Sequence, residues 1–259
     1  MRLTIIGAGN MGGAIARALA GGTYFQASDI TCTARSLQTL EKFDEKGFRV
    51  TNDNGKAVSE ADIVVFAVKP WLMENVVKEV APYLNLEKQI VASVAAGISF
   101  AQLSSWLGSE KTALFRIIPN TAIEIGSGVT FISSLNASDS QTGMILGFFS
   151  EMGYALQVEE SMMASGTALA SCGIAYAMKY IQAAASGGEV LGFDAEQSRK
   201  IVEYTVKGAA ELLLATGNVP QKEIDKVTTP GGMTEKGLAA MEDSGFSLAV
   251  ENGLKACLK

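Results

Sequence analysis

The chain contains no histidine, and that single absence excludes a good deal. Ser-His-Asp catalysis, histidine metal centres and a histidine acid or base are all closed to it. Any chemistry must fall to Lys, Tyr, Ser, Thr, carboxylates or a cofactor. Cysteine is scarce: Cys32, Cys172 and Cys257 are odd in number, far apart and in no metal-ligand spacing. They read as small buried hydrophobes in a reducing compartment, with neither a disulfide framework nor a metal site. Long apolar runs are missing too. The longest charge-free stretch, Gln89 to Ser109, is interrupted by Gly97, several serines and Gln102, which suits a strand followed by a helix better than a membrane span. Met1-Arg2 leads straight into a strand-like run rather than a basic-then-apolar leader, so the expected location is cytoplasmic. Positive charge is in deficit, with 21 Lys and Arg against 27 Asp and Glu. A net charge of −6 argues against a sequence-independent hold on nucleic acid. An anionic small molecule could still be held by glycine-loop amides and a few cations.

What remains is an ordinary globular composition, 48% hydrophobic and 19% charged over 259 residues, enough for one large domain or two modest ones. Leu3–Ile6, Ile30–Thr33, Ile63–Val68, Gln89–Val94 and Ala113–Ile118 are short and rich in β-branched residues, and read as strands. Helical patterns fall between them at Met11–Gly21, Ser36–Lys46, Trp71–Leu84 and Phe100–Leu107. Such alternation predicts a parallel sheet covered on both faces. A strand at Val129–Ser134, a helix from Ser138 to Met152 and an edge strand at Tyr154–Val158 complete this half. After Glu160 the pattern is helical only. Met162–Ala185 is dominated by small residues, and a capping-box pattern at Asp194 and Gln197 opens a helix that stops at Gly217. Two more helical stretches follow Thr229-Pro230-Gly231-Gly232. The fold class is therefore α/β: a Rossmann dinucleotide-binding domain over residues 1–159, followed by an all-helical domain over 160–259. So small a helical domain carries more apolar surface than one layer can hide, so it is expected to dimerise.

Gly7-Ala8-Gly9-Asn10-Met11-Gly12 follows the first strand, after Ile6, and opens the first helix. Gly7 permits the tight turn, Gly9 lets backbone approach a pyrophosphate, and Gly12 lets helix and strand pack closely. The free N–H groups of the helix start then face the phosphates. At the end of the second strand, an NAD site places a carboxylate on the ribose. Here Thr33-Ala34-Arg35-Ser36 stands instead, with no carboxylate before Glu41. Arg35 and Ser36 supply the planar cation and hydroxyl that a 2′-phosphate needs, which favours NADP(H) without excluding NAD(H). Ala67-Val68-Lys69-Pro70 lies at the ligand edge of the next strand, where Pro70 keeps Lys69 out of helical conformation. Ala95-Ala96-Gly97 leaves room for a nicotinamide ring, although close packing explains the two alanines equally well.

Four segments together resemble pyrroline-5-carboxylate reductases. They are Ile6–Gly13, Phe66–Pro70, Ser93–Ile98 and Val227-Thr228-Thr229-Pro230-Gly231-Gly232-Met233-Thr234; Arg116–Thr121 is similar as well. The resemblance spans essentially the whole chain, and the Thr-Pro-Gly-Gly-x-Thr run is its specific part. It implies reduction of a cyclic imino acid, 1-pyrroline-5-carboxylate, to L-proline by NADP(H) or NAD(H), in dimers gathered into a ring. By position it implies that Asn54 reaches the adenine ribose and that Gly231, Gly232 and Met233 hold the substrate carboxylate. Thr234 would hydrogen-bond the ring nitrogen as the catalytic hydroxyl, its alternative role being the N-cap of the following helix. An iminium is already electrophilic, so hydride transfer to it needs neither histidine nor metal. The chain departs from the family at Ala170-Ser171-Cys172-Gly173-Ile174-Ala175-Tyr176, where a Ser-Gly-Ser-Gly-Pro-Ala-Tyr-like run is usual. Ala122 also replaces a proline. These changes keep two rivals open: a β-hydroxyacid dehydrogenase-like enzyme using Lys179 as its acid, and a non-catalytic NADP-binding paralogue.

Overall fold

A computed structural model describes residues 1–258, and the chain divides into two units, Met1–Ser171 and Cys172–Lys259. The first unit runs β1 (Leu3–Ile6), α1 (Asn10–Ala20), β2 (Ile30–Thr33), α2 (Leu37–Asp44), β3 (Arg49–Thr51), α3 (Asn54–Ser59) and β4 (Ile63–Phe66). It continues through α4 (Met73–Val80), β5 (Ile90–Ser93), α5 (Phe100–Leu107), β6 (Leu114–Pro119), β7 (Gly128–Leu135), α6 (Asp139–Ser150), β8 (Gly153–Gln157) and α7 (Met163–Gly166). The second unit holds α8 (Gly173–Val190), α9 (Ala195–Thr216), α10 (Pro220–Val227), α11 (Met233–Asp243) and α12 (Phe246–Ala256).

The strands form one eight-stranded sheet in the order β3-β2-β1-β4-β5-β6-β7-β8, with the doubly wound reversal between β1 and β4. Alternate side chains go to opposite faces. Ile5, Val65, Ala92, Phe115 and Ile117 join α1 and α6 residues such as Ile15, Leu19, Ile145 and Phe148 in one core layer. Ile6, Val64, Phe66, Val91 and Leu114 join Met73, Val77, Phe100 and Leu103 in the other. Both faces are covered, and this buries the near-continuous apolar strands.

The sheet is not wholly parallel. β7 pairs antiparallel to β6 in the register Ile117↔Ile132, whereas β8 returns parallel to β7. Only a short turn joins Pro119 to Gly128, too little chain for a crossover, so the strand must come back on itself. Asn120 fastens that turn: its Oδ1 accepts from the Ala122 and Val129 N–H groups at 3.2 Å each. Further along β6, the Arg116 guanidinium meets Glu160 Oε1 at 2.8 Å, and the same oxygen accepts the Phe100 N–H at 2.8 Å. One carboxylate thereby ties a buried strand cation to the start of α5.

Beyond α7 the chain takes a π-helical turn, Thr167–Cys172. Ser171 Oγ donates to the Pro119 carbonyl at 3.1 Å. The residue that replaces the family's proline, Ile174, simply continues α8.

In the second unit α8 packs on α9. Asp194 caps α9 by accepting the Gln197 N–H at 2.9 Å, which is half of the expected capping box. Gly217 closes the helix in the left-handed region, at φ +64. Ser198 is the one residue of this unit, among those described, that is fully buried. Large apolar side chains such as Tyr204, Leu214 and Met233 stand in the open. This bears on the cysteines. Cys32 is buried in the sheet core as expected, but Cys172 is half-buried and Cys257 exposed, because helices without a core of their own have no interior in which to place them.

Candidate functional site

The turn after β1 is built around Thr33, the last residue of β2. Its carbonyl accepts the N–H groups of Gly7 at 3.1 Å and Ala8 at 2.8 Å. Gly7 sits at φ +95, and a Cβ there would lie 2.8 Å from Val68 and 3.1 Å from the Ala67 carbonyl. A Cβ on Gly12 would press on the Gly7 carbonyl and lie 2.9 Å from Ala67 Cβ. These two glycines are therefore packing requirements of the turn. Gly9 differs: a Cβ there would meet nothing within 4 Å among the described residues, although Gly9 is the N-cap of α1. That end of α1 carries no side-chain cap among the described residues, so the amides of Asn10, Met11 and Gly12 face an open cradle with the positive end of the helix dipole. A pyrophosphate fits this donor set.

The other expected cofactor residues line the same carboxyl edge of the sheet. Arg35 and Ser36 follow β2; Arg35 is exposed and in no ion pair among the described residues, whereas Ser36 Oγ accepts the Thr39 N–H at 3.3 Å as the cap of α2. Asn54 opens α3 behind its cap Asp53, with its Oδ1 2.7 Å from the Thr33 hydroxyl. Ala67 donates to the Ile6 carbonyl at 2.8 Å. Lys69 is extended (φ −63, ψ 145) and exposed before Pro70, the corner that the proline predicts. Ala95 is buried and donates to Ser93 Oγ at 3.2 Å, whereas Ala96 and Gly97 are exposed. The residues from Ile6 to Gly97 are thus brought to one edge, with the β1–β4 reversal among them.

Gly231–Thr234 belong to the second unit. Gly231 is left-handed at φ +73; its N–H goes to Glu235 Oε2, and the Gly232 N–H goes to the Thr229 carbonyl at 2.8 Å. The N-cap of α11 is Gly232, so Thr234 lies one residue inside the helix and is not its cap. Its side chain is exposed, as is Met233. Lys179 is also exposed and donates to Gln182 Oε1 at 2.9 Å.

Burial pushes the Cys32 thiol up to about 12, against a smaller pull from Arg17. In the second unit, Tyr176 Oη lies 2.8 Å from Cys257 Sγ, and that hydrogen bond is the main reason Tyr176 is pushed up to about 12. Cys172 is raised by burial and then by a hydrogen bond with Cys257. Glu223 is lowered by its hydrogen bonds to Lys226 and then Asn218.

A strand, a glycine turn and an uncapped helix, set in a doubly wound sheet, define the class: a dinucleotide-binding protein of Rossmann type. Residues 2–97 match the family described as NADP oxidoreductase, coenzyme F420-dependent. Residues 160–259 match pyrroline-5-carboxylate reductase dimerisation. Over 97% of its length the chain is 35% identical to pyrroline-5-carboxylate reductase 1 of Dictyostelium discoideum, although it spans only 48% of that longer relative. It is 33% identical to pyrroline-5-carboxylate reductase 2 of the same organism, covering 97% of this chain and 89% of the other. A crystal structure of Plasmodium falciparum pyrroline carboxylate reductase with NADP bound superposes with a TM-score of 0.90 at 25% identity, over 100% of this chain and 95% of that one. The chain belongs to the pyrroline-5-carboxylate reductase family.

Proposed function

We propose that this chain reduces 1-pyrroline-5-carboxylate to L-proline with NADP(H), the closing reduction of proline synthesis. The observation that carries the reading is the intact Thr229-Pro230-Gly231-Gly232-Met233-Thr234 run at the start of α11. It lies within the segment matched by the family's dimerisation domain. NADPH, when bound, supplies the hydride.

The chain's own residues do the rest. Gly9 and the N–H groups of Asn10–Gly12 hold the pyrophosphate, Arg35 and Ser36 take the 2′-phosphate, and Asn54 takes the adenine ribose. Lys69-Pro70 and Ala95-Ala96-Gly97 shape the nicotinamide end. In the second unit the Gly231 and Gly232 amides are already engaged, which leaves the Met233 and Thr234 amides at the α11 start for the substrate carboxylate. The Thr234 hydroxyl orients the ring nitrogen. The protein's task is placement and desolvation, because the protonated imine is electrophilic as it stands. We assign residues 1–159 to cofactor binding and 160–259 to dimerisation and substrate, in a cytoplasmic ring of dimers.

The departures at Cys172 and Ile174 favour one second reading, a related cyclic imine as substrate. NADPH oxidation followed by absorbance, with 1-pyrroline-5-carboxylate supplied and proline assayed as product, decides between them. Turnover to proline supports the first reading; bound NADPH that this imine does not oxidise supports the second.

Two variants probe the assigned roles. Thr234→Ala should lower kcat/KM for the imine by about 10- to 100-fold, the scale of one or two lost hydrogen bonds at the reacting atoms, with NADPH affinity nearly unchanged. Unimpaired turnover would remove Thr234 from the mechanism. Arg35→Asp should weaken NADPH far more than NADH, by at least about tenfold in their affinity ratio. Equal losses for both would show that Arg35 does not read the phosphate.

A further inference from the structure

Asn54 opens α3, yet its amide is fixed by two residues from other elements. The Thr33 hydroxyl, at the end of β2, donates to Asn54 Oδ1 at 2.7 Å. On the other side Asn54 Nδ2 donates to Glu79 Oε1, on α4, at 3.2 Å. The direction of both bonds follows from chemistry. An ionised carboxylate can only accept, so the nitrogen end of the amide must face Glu79 and the oxygen end must face Thr33. Thr33 spends its single hydroxyl proton on that oxygen. What it offers the Gly7 N–H, 3.4 Å away, is therefore a lone pair. Thr33 itself is 2% exposed and cannot exchange these partners for water.

The polar chain thus runs one way, from the glycine turn through Thr33 and Asn54 to Glu79. Tyr83 secures the same corner, its ring 3.0 Å from where a Cβ on Gly55 would stand. With one N–H and one lone pair spent, the Asn54 amide keeps one donor and one acceptor. That pair matches two neighbouring oxygens of a ribose, which offer an acceptor and a hydroxyl donor.

We infer that Thr33 and Glu79 are positioning residues for dinucleotide binding: they hold the Asn54 amide in the one orientation that presents this donor–acceptor pair to the adenosine ribose. The inference rests on the proposed role of Asn54 in that contact. Without Glu79 the amide loses the group that sets its direction, and without the Thr33 hydroxyl its oxygen loses its anchor.

The test is calorimetric titration of NADPH and of NADH into the full-length protein and its Glu79→Ala, Glu79→Gln, Thr33→Val and Thr33→Ser variants, with thermal melts alongside. Glu79→Ala and Thr33→Val should bind both dinucleotides about three- to tenfold more weakly, the scale of one net hydrogen bond. In turnover the loss should fall on the cofactor KM and not on kcat. Glu79→Gln and Thr33→Ser, which keep an acceptor and a hydroxyl in place, should recover most of the affinity. Wild-type affinity in Glu79→Ala and Thr33→Val would overturn the inference. So would losses that follow the melting temperature and are not rescued by the conservative pair. A wild-type protein that binds neither dinucleotide would overturn the proposed function itself, and is thereby told apart from failure of the inference alone.

Discussion

Gly9→Val should fold as the wild type does and fail to hold NADPH. The backbone at Gly9 is extended with a negative φ (φ −78, ψ −152), outside the left-handed region that favours glycine, and a Cβ there meets nothing within 4 Å among the described residues. The side chain would instead fill the cradle at the head of α1, where the pyrophosphate must come within hydrogen-bond reach of the amides. Losing two or more charge-assisted hydrogen bonds is worth about 100-fold in affinity or more. The melting temperature of the unliganded protein should barely move. Gly12→Ala is the contrast. Its methyl would press on the Gly7 carbonyl and Ala67, so it should cost about 1–3 kcal/mol of stability as overpacking does, and lose the cofactor only as a consequence. Denaturant melts and NADPH titrations on both variants check the pair. A Gly9→Val protein that binds NADPH normally would mean that the cradle is not the phosphate site.

The second large effect is expected in the helical unit. On α9, Ile201, Tyr204, Gly208 and Leu212 are spaced 3, 4 and 4 residues apart and share one stripe. The three apolar side chains of that stripe are exposed in the single chain. A helical unit with one fully buried residue among those described has almost no hydrophobic free energy of its own to set against conformational entropy. Its stability must come from another copy, as the match of residues 160–259 to a dimerisation domain accords with. The double variant Tyr204→Asp/Leu212→Asp should therefore weaken association by at least about 1000-fold. Light scattering reads the mass, and far-ultraviolet dichroism should show helix lost together with the dimer. A variant that stays dimeric would place the interface on another face of these helices.

How much of this was legible beforehand depended on run length. β1, β2 and α5 fall at the residues expected, because each is a strongly patterned segment, with Gly7 beside β1 and Ser99 capping α5. The strand expected to reach Val68 stops at Phe66, since the chain must turn there to let Lys69-Pro70 form its corner. Nothing in the sequence pattern announces β3, α3 and α10. β3 is three residues containing an arginine, α3 is six containing a glycine, and α10 is strongly charged, so none shows enough apolar periodicity to register. The antiparallel return of β7 was equally hidden, because strand direction is set by the length of the connection and not by the strand's own residues. At the site, the glycine turn announced itself by spacing. Thr33 and Glu79 did not: one stands 21 residues before Asn54 and the other 25 after it, and only folding makes them neighbours.

Glu223 is held below the usual carboxylate range, while Cys32, Cys172 and Tyr176 are pushed up, each away from neutrality. With no histidine, the chain lacks the one side chain whose ordinary value falls between about pH 5 and 8. An inflection in kcat/KM between about pH 5 and 7 would therefore be a readout of the small molecule, the imine nitrogen gaining or losing its proton in solution. The protein would act on that equilibrium as a selector of the charged form and not as its acid.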